Sequence, residues 1–119
     1  MATSWVVWAE TAIPPDEIKS DQIFYGNPSS FANPAEVDMI AIVRATPEYD
    51  EIVKKKIPKG TAKYWILRSN GTDRALRAIQ QLAEETDQDL FANEGYLRTL
   101  SSPIECVNLT KEAIDLVQE

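Results

Sequence analysis

Two segments of the chain share one local grammar, and that grammar narrows the fold more than any other feature. The apolar run Met39 to Val43 ends at Arg44 and leads into Thr46-Pro47-Glu48; the run Tyr64 to Leu67 ends at Arg68 and leads into Gly71-Thr72-Asp73. Short continuous apolar runs of this length read as buried strands. Thr46-Pro47-Glu48 supplies an N-cap, a proline at the first helical position and an acid in the first turn. Gly71-Thr72-Asp73 marks a second helix start. The expected order is strand, helix, strand, helix. The stretch from Ala45 to Lys63 is long enough for a helical crossover, so the two strands are expected to run parallel.

The flanking sequence fits the same scheme. Trp5 to Ala9 reads as a first strand with apolar residues on both faces. Ile13 to Ile18, with Pro14, Pro15, Asp16 and Glu17, can open a short helix. From about residue 22 to 37 periodicity is lost, and turn chemistry at Gly26-Asn27-Pro28 and Asn33-Pro34 predicts a long irregular loop pinned by Phe24, Tyr25 and Phe31. Tyr49, Ile52, Val53 and Ile57 recur at helical spacing until Pro58 and Gly60. Ala75, Leu76, Ile79, Leu82 and Ala83 form one apolar stripe. Gln88 to Leu100 reads as a further short helix weakened by Gly95. Ile104 to Leu109 reads as a last strand, and Thr110 as the cap of a final helix that points Ala113, Ile114 and Val117 inward. The expected fold class is α/β, a single small domain over residues 1–119 with a mostly parallel sheet of about four strands and flanking helices. A ferredoxin-like α+β arrangement is the alternative.

Composition limits the chemistry. The chain has 119 residues, 44% of them hydrophobic, enough for one core without disulfides or metal. Histidine is absent and Cys106 is the single cysteine. Ser–His or Cys–His activation within one chain is therefore excluded, as is a zinc site built from His and Cys. No acid–base constellation can be assembled, so an enzymatic role is disfavoured, and no cofactor is implied. The net charge is −7, which disfavours sequence-independent nucleic-acid binding. No apolar run reaches membrane-spanning length, and the first residues lack a basic leader, so a cytoplasmic location and no membrane partner are expected.

Two residue sets are candidates for binding. The first is an anion cradle. Arg44 and Arg68 would sit at neighbouring strand ends, with Ser69, Asn70, Gly71 and Thr72 offering amides and hydroxyls at a helix start. Its competitor is structural pairing of Arg44 and Arg68 with Asp38, Glu48 or Asp73. The loop lacks both the GxGxxG and the GxxxxGK[ST] patterns. The second set is a partner surface made from Phe24, Tyr25 and Phe31 together with Lys54, Lys55 and Lys56. The lysines continue through Lys59, Lys63, Arg68, Arg74 and Arg77, so the acidic chain is dipolar. Lysines at a helix C-terminus are also explained by the macrodipole alone. The acidic run Glu84 to Asp89 fails the EF-hand spacing, and Glu10 with Asp38 is an arbitrary acid pair. Cys106, between apolar neighbours, is expected to be a buried small hydrophobe. The expected function is a non-catalytic domain acting through a protein partner. The alternative is a binder of a small anionic ligand such as a phosphate or nucleotide.

Overall fold

The computed structural model describes residues 11–119. Among them lie a four-stranded mixed sheet and four α-helices. The strands are β1 (Ile23–Gly26), β2 (Pro34–Val37), β3 (Leu90–Asn93) and β4 (Val107–Asn108). The helices are α1 (Met39–Arg44), α2 (Pro47–Lys54), α3 (Ala62–Thr86) and α4 (Thr110–Val117). Strand order across the sheet is β1-β3-β2-β4. The β2–β3 and β2–β4 pairs are parallel, and β1–β3 is antiparallel. The α/β class therefore holds, and the expected mostly parallel sheet holds in part, since one of its three strand pairs, β1–β3, is antiparallel. The strand read at Trp5 to Ala9 lies outside the described residues.

The two apolar runs that seemed to be strands are helical. Met39 to Arg44 forms α1 because the Asp38 carboxylate caps it, accepting from the Ala41 N–H at 3.2 Å, and the Asp38 carbonyl accepts from Ile42 N–H. Only one side of that run is buried: Ile42 and Val43 pack inward while Ile40 faces out. Lys63 to Arg68 forms the first turns of α3, whose cap is Thr61, accepting from Tyr64 N–H at 3.3 Å. The buried positions Tyr64, Gly71, Ala75, Ala78 and Leu82 share one helical stripe, so the apolar seam begins well before the expected start at Gly71. Gly71 is a packing contact rather than a turn. A Cβ there would stand 3.0 Å from the Thr46 hydroxyl and 3.6 Å from the Glu48 Cβ, so glycine lets α2 approach α3 closely.

The region expected as loop, 22–37, instead holds β1 and β2. Gly26 makes this possible. Its φ is +93°, and a Cβ would clash with the Asp89 carbonyl oxygen at 2.1 Å. The Asp89 carboxylate then accepts from Ala32 N–H (2.7 Å) and Asn33 N–H (2.8 Å), fixing the entry into β2. Gln88 to Leu100 is likewise β3 and a 3-10 turn at Leu97–Thr99 rather than a helix. The segment from Ile13 contributes only a 3-10 turn at Pro15–Glu17. Helix α2 starts as expected, with Thr46 accepting from Tyr49 N–H, although Val53 of its apolar set is exposed. Helix α4 is present with Ala113 and Val117 buried and Ile114 partly so, but Thr110 is its first residue rather than its cap, and its hydroxyl accepts from Asp38 N–H instead.

Two apolar cores flank the sheet. Ala35, Val37 and Phe91 face a layer of helices, meeting Ile42, Ala75, Ile79 and Val117. Leu90 and Ala92 face the other way, toward Ile13, Phe31, Leu97 and Leu100. The alternation of Ala35 and Val37 with Glu36 along β2 is what puts a carboxylate on the second, loop-covered side.

Candidate interaction surface

The expected anion cradle does not form as a helix start on α3. Ser69, Asn70, Gly71 and Thr72 lie in mid-helix, where their amides belong to the α3 ladder. Thr72 turns its hydroxyl back to donate to the Arg68 carbonyl at 3.0 Å. Arg68 donates to the Tyr64 hydroxyl at 3.3 Å. Arg44 ends α1 and borders a shallow hollow with Ala45, Thr46, Pro47, Asp50 and Gln118, which Arg68 does not line. Neither Arg ends a strand, and a helix start follows Arg44 alone, at Thr46-Pro47, whereas Arg68 and residues 69–72 lie inside α3. The ion pairs form elsewhere: Arg74 grips Glu48 through two nitrogens, at 2.8 and 2.9 Å. That hydrogen bonding holds the Glu48 carboxyl below its ordinary range against the opposing effect of burial.

The aromatic set divides too. Phe31 is buried in the second core and offers no surface. Tyr25 stacks edge-on against Phe91 at 6.2 Å, and both Phe24 and Tyr25 are partly buried against the first core. Of the lysines, Lys54 and Lys55 pair with Asp50 and Glu51 one turn back on α2. Lys56 follows the Lys55 cap of that helix with φ +48°.

A different set of apolar residues is exposed. Val53 on α2 and Trp65 and Ile66 on α3 are each more than half accessible, at 58%, 60% and 59%. They belong to one end of the molecule because α2 and α3 are antiparallel. Thr46 and Glu48 at the start of α2 meet Gly71 and Arg74, while Glu51 further along pairs with Lys63 at 3.5 Å. Trp65 is held in place by its neighbour. The buried Tyr64 ring meets the indole edge-on, with centroids 5.1 Å apart.

Charge marks the same end. From Ile52 to Thr72 the chain carries six cations and no acid. The remaining residues hold all nineteen acids and the other six cations, a net of −13. Among the described residues, Lys56, Lys59 and Arg68 have no carboxylate partner. Helix α3 reinforces the polarity. It has no acid in its first turn and no base in its last, and Glu84 and Glu85 stand at its C-terminal end. Its charges therefore add to the macrodipole instead of offsetting it, at about 0.3–1 kcal/mol for each misplaced charge.

A buried polar cluster that sequence reasoning missed lies away from this surface. Glu36 on β2 is 2% exposed. Its carboxylate accepts from Gly95 N–H at 3.1 Å, from Arg98 at 2.8 Å and from the Asn108 amide at 3.2 Å. Burial alone would push this carboxyl up, but the Gly95, Arg98 and Asn108 hydrogen bonds outweigh it and hold it below its ordinary range. Cys106 shares the site. Burial first, then the Glu36 charge and hydrogen bonding to it, raise the thiol to about 11, only partly offset by Arg98. The Glu36 carboxylate ties β2 to Gly95, to Arg98 of the 97–99 turn and to Asn108 of β4, and Cys106 beside it, expected to be buried, is only partly so, with its thiolate disfavoured. The only sequence signal for the cluster was the period-two position of Glu36 between Ala35 and Val37.

No family model, no curated protein and no solved structure matches the chain. Among the described residues no helix is long and apolar enough to cross a membrane, and no group of three His, Cys, Asp or Glu side chains could hold a metal ion.

Proposed function

We propose that this chain is a non-catalytic interaction domain that acts through a protein partner, and that the partner docks on the end formed by the last turn of α2 and the first turns of α3. One observation carries the reading: Trp65 and Ile66 stand side by side and exposed on a helix whose other face is anchored to the core. A rigid tryptophan beside a branched aliphatic is the composition of an interface anchor, large in area and low in ordering cost. The surface replaces the expected one built from Phe24, Tyr25 and Phe31, and it retains Lys56 at its border.

Photo-crosslinking tests it. A photoreactive residue is placed at Ile66 and, as a control, at the exposed Glu112 of α4. The proposal expects a discrete protein adduct from position 66 alone, suppressed by excess unmodified chain but not by excess Trp65→Asp chain. Identical adduct patterns from the two positions would overturn it.

A further inference from the structure

Resting on that docking surface, we infer the chemistry of the partner: a short amphipathic segment whose apolar side chains are bordered by Asp and Glu. The surface offers two things at once. Trp65 and Ile66 supply exposed apolar area, and Lys56, Lys59 and Arg68 supply positive charge with no carboxylate partner among the described residues. Positive charge at the start of α3 is locally unfavourable with the helix dipole, so an occupant carrying negative charge removes a cost that the free domain bears. Apolar residues bordered by acids meet both properties, whereas an uncharged apolar segment leaves the cations unanswered.

A second copy of this chain does not meet them. Two-fold pairing of α3 about Trp65 would join apolar to apolar but bring Lys63 of one copy beside Arg68 of the other. Shifting the axis toward Ala75 would pair opposite charges but place Trp65 and Ile66 against Glu84 and Glu85. Charge matching and apolar matching are therefore incompatible in a symmetric α3 pair. Extended polyanions fit poorly as well. The basic stretch is short, and the rest of the chain is at −13, so a nucleic-acid strand or an anionic bilayer that overran the lobe would meet repulsion within a Debye length of about 8 Å at physiological salt. A short segment confined to the lobe avoids it.

The test is fluorescence anisotropy with a labelled helical peptide about five turns long, built from Leu on one face and Glu on the other. Its controls are the same Leu face with Lys replacing Glu, an all-Glu peptide, phosphatidylserine vesicles and a single-stranded oligonucleotide. The Glu/Leu peptide is expected to bind at least about tenfold more tightly than every control. Trp65→Ala and the Lys56→Glu/Lys59→Glu pair should each weaken it about tenfold, and the second effect should shrink in high salt. Equal binding of the Lys/Leu peptide that still requires Trp65 would overturn the acidic partner while leaving the interaction surface standing. Stronger binding of vesicles or oligonucleotide would overturn the acidic segment in favour of a lipid or nucleic-acid ligand. No binding by the Glu/Leu peptide, or binding indifferent to Trp65 and to both lysines, would overturn the inference outright. Unchanged circular dichroism and thermal midpoint in each variant exclude misfolding as the cause, since all three positions are exposed.

Discussion

Replacing Glu36 with glutamine removes one charge and almost no volume, and the structure sets both the size and the pH dependence of the result. The native carboxylate accepts three hydrogen bonds, from Gly95 N–H, Arg98 and Asn108, while 2% exposed. Glutamine keeps one acceptor oxygen and presents an NH2 where a donor already points. At least one buried donor is then stranded, at about 1–3 kcal/mol, and the remaining hydrogen bonds lose their charge assistance. Arg98 softens the effect because its side chain is 53% exposed and water can hydrate it. The expected loss at neutral pH is about 2–3 kcal/mol, a fall in melting temperature of about 10 °C for a domain of this size. Because the Glu36 carboxyl is held below its ordinary range in the folded state, its contribution is fully present above the unfolded pKa of about 4.3 and is lost as pH falls through the folded value. The gap between wild type and Glu36→Gln should therefore be constant from neutral pH down to about 5 and narrow in more acid solution. Calorimetric melts of both proteins across that range measure it. A gap under about 1 °C at neutral pH, or one that does not narrow in acid, would refute the assignment of Glu36 as an ionised, fully satisfied buried group.

Three other perturbations probe separate parts of the fold. Gly26→Ala combines an unfavourable φ of +93° with a Cβ placed 2.1 Å from a backbone oxygen. It should cost more than about 3 kcal/mol in chemical denaturation, because neither backbone can move without breaking the β1–β3 pairing. Gly71→Ala gains about 1 kcal/mol of helix propensity. It must, however, displace Thr46, a fully buried residue whose hydroxyl donates to the Val43 carbonyl and caps α2. A net loss of about 1 kcal/mol is expected, and Gly71→Ala should cost less in a Thr46→Ala background, which lacks the crowding hydroxyl oxygen, a non-additivity readable in a double-mutant cycle. Cys106, with its thiol near 11, should alkylate at pH 8 on the order of a hundredfold more slowly than a free cysteine. Glu36→Gln should speed that reaction by removing the adjacent charge, and an unchanged rate would show that burial alone protects the thiol.

Legibility varied with the range of the information. Helix α2 could be read directly because its start is written in three adjacent residues, Thr46, Pro47 and Glu48, and its apolar positions repeat at helical spacing. The stripe from Ala75 to Ala83 was visible for the same reason, apart from Leu76, which lies at its edge and is exposed. Met39 to Val43 and Tyr64 to Leu67 were not decidable locally. An apolar run of four or five residues serves a buried strand or one helical turn equally well, and only caps and distant packing choose. At the second run the buried seam Tyr64–Gly71–Ala75 is present in the sequence, but Gly71 reads locally as a helix start, whereas its missing side chain is what admits Thr46 in mid-helix. The proposed docking surface was half legible. Its cations form an unbroken cluster in sequence, whereas the exposure of Trp65, Ile66 and Val53 and the burial of Phe31 depend on which faces the fold covers.

The α/β class was expected from strand assignments of which, among the described residues, only Ile104 to Leu109 overlaps a strand, β4. By itself the sequence determined a chain acidic overall, basic from Lys54 to Arg68, free of histidine and without an internal disulfide, with helical stripes in α2 and from Ala75 to Ala83. These follow from composition and short-range periodicity, which need no knowledge of neighbours. Tertiary structure alone decided that β2 lies between two parallel strands, that Glu36 meets Arg98 across 62 positions of chain, and that α2 folds back on α3 through Glu48 and Arg74. Each of those depends on contacts distant in sequence. Their free energy comes from desolvation and geometry that appear only once the chain has collapsed, so no local window encodes them.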